Sequence, residues 1–287
     1  MKAQVQPFFH SASNTFSYVV SDPDNGQAAI IDPVLDFDAA SARTGTASAQ
    51  SIVNHVRAHA LQVQWILETH AHADHLSAAQ WLKHQFPTAQ LAIGEGIRTV
   101  QATFATVLDL GEGFRADGSQ FDYLFVDGEE FKIGALLARV IAVPGHTSDS
   151  NAFLIGDALF PGDSLFMPDG GTARCDFPGG DAATLFRSIQ RLFQLPEATR
   201  VFVCHDYGPG GRKIACETSI GEQRARNIHV HDGVDEATFV SLRTARDATL
   251  KVPELILPSL QVNLRAGALP EPASNGVRYF KLPLDRF

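Results

Sequence analysis

Only three cysteines occur in 287 residues, Cys175, Cys204 and Cys216. An odd count suits no disulfide framework, and a reducing cytoplasm is the simplest home for such a chain. Equally missing is any block rich in lysine or arginine, since 23 basic side chains stand against 32 acidic ones for a net charge of −9. That balance argues against nucleic acid and anionic membrane surfaces as partners. No stretch approaches the ~20 apolar residues of a membrane helix. The first residues, Met1-Lys2-Ala3-Gln4-Val5-Gln6-Pro7, lack the apolar run of a signal peptide. Neither an internal repeat nor a long linker breaks the chain, whose 45% hydrophobic and 19% charged content is ordinary for a globular protein.

What the chain does contain is Thr69-His70-Ala71-His72-Ala73-Asp74-His75, which puts three of its 11 histidines and an aspartate within six residues. The preceding Val63 to Glu68 is apolar enough for a buried strand, and Leu76 to Phe86 reads as a helix. The motif therefore sits on a strand-to-helix loop, where open α/β sheets place their ligands. In an extended chain His70, His72 and Asp74 face one side and His75 another, so one loop can feed two neighbouring metal positions.

Around this loop, Phe8 to Val20 reads as a strand, Asp22 to Gly26 as a turn and Gln27 to Pro33 as its return. Ala39 to Gln50 reads as a surface loop and Ser51 to Ala60 as a helix capped by Ser51. His55 and His59, one turn apart on it, have no third ligand and are read as an exposed polar face. Strands are expected over Gln90 to Ile93, Leu136 to Val143, Asn151 to Ile155, Ala158 to Phe160 and Thr199 to Val203, with helices over Glu95 to Ala105 and Asp181 to Phe193. Phe121 to Val126 fits a short strand or a helical turn. Four of the expected strands run into a metal-ligating residue: the His70 to His75 loop, His146 in Pro-Gly-His-Thr, Asp163 in Pro-Gly-Asp-Ser, and His205.

This constellation resembles the metallo-β-lactamase superfamily over about residues 8 to 230, with seven ligand positions filled in order. The resemblance implies an α/β fold, the four-layer αββα sandwich, with a metal site at one rim of its sheets. A catalytic domain over residues 1–230 and a C-terminal extension, 231–287, packing on the same domain are expected. In true β-lactamases of the common type a cysteine takes the position of Asp163, and histidine is unusual at that of His75. Both departures argue against antibiotic hydrolysis. Glyoxalase II-type thioesterases (hydroxyacylglutathione hydrolases) keep all seven ligands and hold two Zn(II). There His70, His72 and His146 would bind one ion, Asp74, His75 and His205 the other, with Asp163 bridging.

Persulfide dioxygenases share the same ligand letters. Their pattern implies a single Fe(II) held by His70, His146 and Asp163, leaving His72, Asp74, His75 and His205 around it. Two histidines and one carboxylate form a facial triad with open positions, and zinc has no redox chemistry to offer. Two further stretches resemble that branch: Arg174-Cys175-Asp176-Phe177, and Cys204-His205-Asp206-Tyr207. The tail, with Glu222-Gln223-Arg224 and Pro258-Ser259-Leu260-Gln261-Val262-Asn263, looks like the bacterial β-lactamase-like hydrolase subgroup and lacks the helical C-terminal pattern of glyoxalase II. The resemblance thus implies oxidation of glutathione persulfide by O₂ to sulfite and glutathione. Arg174, Asp176 and His205 are the expected catalytic residues, and Arg174, Tyr207 and Arg212 the expected substrate contacts.

Several residues are open to plainer readings. Arg174 can pair with Asp176 as a structural arginine. Burial is the commoner state for Cys175, and Cys204 is expected to pack under His205. His229-Val230-His231 repeats the H-x-H spacing without an acidic partner and is read as a surface strand. Val234 to Leu250 is expected to be a helix. Leu255 to Leu260 and Val277 to Pro283 are apolar enough to pack back onto the domain or to join a second subunit in a homodimer.

Overall fold

Alternation along the strands sets the layers in the computed structural model, which describes residues 1–111 and 113–285. The first half runs β1 (Gln4–His10), β2 (Thr15–Ser21), β3 (Gln27–Ile31), β4 (Val34–Asp38), β5 (Arg43–Gly45) and α1 (Ala47–Ala58). It continues through β6 (Gln62–Leu67), β7 (Leu76–Ser77), α2 (Ala79–Gln85), β8 (Gln90–Gly94), α3 (Ile97–Val107) and β9 (Tyr123–Phe125). The second half holds β10 (Glu130–Ile133), β11 (Leu136–Ala142), β12 (Asn151–Ile155), β13 (Ala158–Phe160), α4 (Ala182–Leu192) and β14 (Arg200–Phe202). β15 (Glu217–Ser219), α5 (Ile220–Arg226), α6 (Glu236–Asp247) and α7 (Ile256–Asn263) follow.

Two six-stranded sheets result, ordered β1-β2-β3-β6-β8-β9 and β10-β11-β12-β13-β14-β15, with a small sheet β5-β4-β7 beside them. On β3, Ala29 and Ile31 face the second sheet, meeting Phe131, Phe153 and Phe160 in the central core. Ala28 and Ile30 face the other way, onto α1, α2 and α3. The second sheet behaves alike: Ala158 and Phe160 point inward, while Leu159 packs outward with Leu185 and Ile189 of α4 and Phe239 of α6. Period-two alternation with both faces apolar thus generates helix, sheet, sheet, helix, as the resemblance implies.

Local readings needed correction where non-local partners decide the structure. Phe8 to Val20 is a hairpin, β1 and β2, because Asn14 takes a left-handed φ of 54° and Ser13 Oγ meets His10 Nδ1 at 2.7 Å. Ala39 to Gln50 is no plain loop: it holds β5 and the first turn of α1. Ser51 does not cap that helix, since its hydroxyl donates back to Ala47 O. Asp36 of β4 instead accepts from Ser48 N and Oγ at the helix start. Leu76 is not helical but pairs with Leu35 of β4. Residues 229–231 are not a strand: 228–230 form a turn, with Val230 wholly buried.

In the tail, α7 packs Ile256, Leu260 and Val262 into the core beneath α1 to α3. Val277 to Pro283 forms neither helix nor strand, and only Phe280 of it reaches that core. Among the described residues no helix is long and apolar enough to cross a membrane.

Candidate metal centre

Four strand ends deliver the ligands to one rim. β6 leads into the His70 to His75 loop, β11 into His146, β13 into Asp163 and β14 into His205. His146 is positioned by its neighbour Gly145, whose φ of 137° is left-handed territory and whose Cβ would fall 2.3 Å from Leu185 N. Only glycine lets α4 approach there.

The histidine loop is held from beneath by buried polar groups that the sequence reading did not single out. Asp32, itself at a left-handed φ of 48°, accepts from Thr69 N at 2.7 Å and Thr69 Oγ1 at 2.9 Å. Asp149 accepts from Ala71 N at 2.8 Å. Asn263, on α7, donates from Nδ2 to His72 O and His75 O, both at 2.8 Å, and accepts from Ser77 N. His72 Nε2 turns toward Asp32 at 3.0 Å and Glu68 at 3.6 Å.

The ligand atoms gather into two neighbouring groups. His70, His146 and Asp163 bring ligand atoms within 4.8 Å of one another, as do His72, Asp74, His75 and His205. Asp163 stands between them: Oδ2 is 3.5 Å from His146 Nε2 and 4.0 Å from His70 Nε2, while Oδ1 is 3.3 Å from His205 Nε2. Three of the imidazoles are tied at Nδ1, leaving Nε2 to face the centre. His146 Nδ1 donates to Arg174 O at 2.7 Å, His70 Nδ1 meets Thr69 Oγ1 at 3.0 Å, and His205 Nδ1 lies 3.3 Å from Asn14 O.

The atoms left over form the test of metal binding. His70 Nε2, His72 Nδ1, His75 Nε2, His205 Nε2, Asp74 Oδ2 and Asp163 Oδ1 are buried without a hydrogen-bond partner. An orphaned buried polar atom costs about 1–3 kcal/mol, so six converging on one rim call for a cation. Burial also holds His70 and His72 well below the ordinary imidazole range, which keeps them neutral and fit to ligate. Tethering the far nitrogen to a carboxylate or carbonyl is how proteins aim metal-binding histidines. The residues fit a metal ion.

Residues 11–205 match the family model of the metallo-beta-lactamase superfamily. The chain belongs to that superfamily. Its members are metal-dependent enzymes. Among curated relatives, a probable metallo-hydrolase of Burkholderia pseudomallei is 49% identical over 98% of this chain and 99% of its own. Glyoxylase B2 of Dictyostelium discoideum is 48% identical over 99% and 98%. The mitochondrial persulfide dioxygenase ETHE1 of Homo sapiens is 29% identical over 92% and 88%. A solved structure, ETHE1 from Myxococcus xanthus, superimposes with a TM-score of 0.73 at 29% identity, covering 92% of this chain and all of that one.

As in other sites at the carboxyl ends of strands, the superfamily rim opens into a cavity, here of about 570 Å³. Asp74, His146, Asp163 and His205 form part of its lining, and Phe166, Phe177, Ile228, Leu250 and Pro253 give it apolar walls. Arg174 and Tyr207 line it too. The Arg174 guanidinium pairs with both carboxylate oxygens of Asp176 at 2.6 Å and lies over the Phe177 ring. Tyr207 is exposed at the mouth, its ring stacked 6.1 Å from that of His205. The Arg212 guanidinium is engaged by Asp206 and Asp169 at 2.7–2.8 Å. Cys175 is buried and its thiol is pushed up to about 12 by burial, which makes it inert; Cys204 is buried, its Sγ 3.9 Å from Asp32 Oδ2.

Among the lining residues that the sequence did not assign to the site are His229, Arg243 and Arg246. Arg243 is fully buried, bonded to Asp247 and to Thr172 O, and Asp247 also accepts from Cys175 N. This pair fastens the 172–175 loop to α6. The only local signal was the H-x-H spacing of His229, and its role depends on residues far along the chain.

Burial, then the charges of Arg243 and Arg246, hold His229 down to about 4, against an ordinary 6.5. Between those values the unfolded chain takes a proton that the folded chain refuses. The contribution of His229 to stability is therefore complete above its unfolded value and is lost as pH falls toward about 4. In urea denaturation, His229→Gln should lose less stability than the wild type between about pH 7 and about pH 5. Equal losses in the two proteins would refute this assignment.

Proposed function

We propose that the protein is a cytoplasmic persulfide dioxygenase, oxidising glutathione persulfide with O₂ to sulfite and glutathione at one Fe(II). The observation that carries this reading is the group of two imidazoles and one carboxylate, His70, His146 and Asp163, with ligand atoms within 4.8 Å of one another. That donor set is the facial triad of non-haem iron oxygenases. When bound, iron supplies the redox chemistry that O₂ requires and zinc lacks. The likeness to ETHE1, in sequence and in fold, supports the same choice.

In this reading the chain's own groups divide the remaining work. The persulfide sulfur enters between Phe166 and Phe177, whose apolar faces keep bulk water away from it. Arg174, pinned by Asp176, holds Phe177 and at the same time aims His146 through its carbonyl. His205, with Nε2 between Asp163 and Asp74 at 3.3 and 3.4 Å, holds a proton released as sulfite forms. The persulfide, O₂ and water balance against glutathione, sulfite and two protons. Tyr207 contacts the body of the substrate at the mouth, and Arg212 keeps Asp206 and Asp169 in place below it.

A second reading is a di-zinc thioester hydrolase. It is favoured by the second ligand group, His72, Asp74, His75 and His205, and by the metallo-hydrolase and glyoxylase names of the two relatives near half identity. Metal content of protein purified without added metal, with O₂ uptake on glutathione persulfide, separates the two. About one iron per chain with rapid uptake is the expected result. Two zincs, no uptake and cleavage of S-lactoylglutathione would overturn the dioxygenase in favour of the hydrolase.

A further inference from the structure

Three arginines line the cavity, and two of them are already neutralised. Arg174 pairs with Asp176 and Arg243 with Asp247, while Arg212, outside the lining, is held by Asp206 and Asp169. Arg246, in the last turn of α6, has no ion-pair or side-chain hydrogen-bond partner among the described residues, and it is exposed. An arginine in that position can serve merely as a surface charge complementing the helix dipole, but this one borders the cavity and its field reaches His229.

His229 lines the same cavity. Its Nδ1 accepts from Thr172 N at 3.0 Å, which fixes the ring as the Nε2–H tautomer. Nothing among the described residues meets Nε2, and that atom is not sealed from the cavity. The ring cannot drift, because it packs where a Cβ on Gly171 would stand, 2.2 Å from Nδ1. A fixed neutral donor and an unspent guanidinium therefore share one wall, beside Ile228.

We propose that Arg246 and His229 form a carboxylate-binding corner that holds the substrate by an acid group remote from its reacting sulfur. This rests on the reading of the cavity as the site of a glutathione derivative, and it moves the carboxylate contact from Arg212, which is engaged, to α6. The guanidinium offers the planar fork that suits a carboxylate. The corner selects for thiols that carry a carboxylate and gives nothing to neutral ones.

Calorimetric titration of the metal-loaded protein with glutathione tests this apart from turnover. Arg246→Ala, an exposed substitution, should weaken glutathione binding by about tenfold, the scale of one charge-assisted contact. Arg246→Lys should restore part of that loss, and His229→Gln should weaken binding severalfold. The affinity for N-acetylcysteamine, a neutral thiol, should be the same in the wild type and Arg246→Ala. Unchanged glutathione affinity in Arg246→Ala overturns the corner, as does a wild type that binds no glutathione. Equal weakening for the neutral thiol overturns it too. If the corner binds as described but O₂ uptake is absent, the dioxygenase falls and the corner stands.

Discussion

Asp163→Asn is expected to lower kcat/KM by well over about 100-fold and to strip most of the metal. Loss of a residue that merely orients a ligand already costs about 10–100-fold in affinity or activity, and Asp163 is more than that. It is the lone carboxylate in the group with His70 and His146, and its other oxygen reaches His205. The amide keeps the size but removes the negative charge that offsets a cation among imidazoles. His146→Ala should behave alike, since the ring is aimed by Arg174 O and no other side chain replaces it. Both variants should fold, because removing ligands from a rim relieves orphaned polar atoms rather than opening the core. Metal analysis and steady-state O₂ uptake give the answer. Full metal content with full turnover in either variant would sink the assignment of the centre.

The second large effect lies away from the ligands. Asn263→Ala frees His72 O, His75 O and Ser77 N, all buried. At about 1–3 kcal/mol for each unsatisfied group, partly relieved by water, the loss should be roughly 3–5 kcal/mol. For a chain of this size that lowers Tm on the order of 10 °C. Metal affinity should fall with it, because the two freed carbonyls belong to the loop that carries His70. Asn263→Asp should be at least as harmful to the loop, since it sets a carboxylate against two carbonyl oxygens while keeping only the contact with Ser77. Thermal unfolding with and without added metal measures both parts. A Tm and metal occupancy matching the wild type in Asn263→Ala would show that the loop stands without this brace.

What could be read from the sequence was the part written in local pattern. His70 to His75, His146, Asp163 and His205 each follow an apolar run, so the ligands and the strand ends that carry them were visible together. The αββα layering was recognisable through those motifs, and the two-faced apolar strands such as β3 agree with it. Elements that draw on distant partners were not visible. α1 begins at Ala47 because Asp36 from another strand caps it, and β7 is two residues long, existing only because β4 runs alongside. His229 looked like an unsupported repeat of H-x-H, since Thr172 and Arg243, which give it a purpose, lie 57 and 14 positions away. The same holds for Asp32, Asp149 and Asn263: each is an ordinary polar residue in its own neighbourhood and becomes a brace only after folding.

The brace from Asn263 has a consequence for the order in which the protein is made. His72 and the side chain that fixes its carbonyl are 191 residues apart, so the histidines leave the ribosome long before their support does. Synthesis runs from the N-terminus, and a nascent chain lacking α7 carries the ligands without a settled loop to hold them. Metal loading is therefore expected to wait for the docking of α7. A chain interrupted before that helix would display the whole histidine motif and still mature without a stable centre.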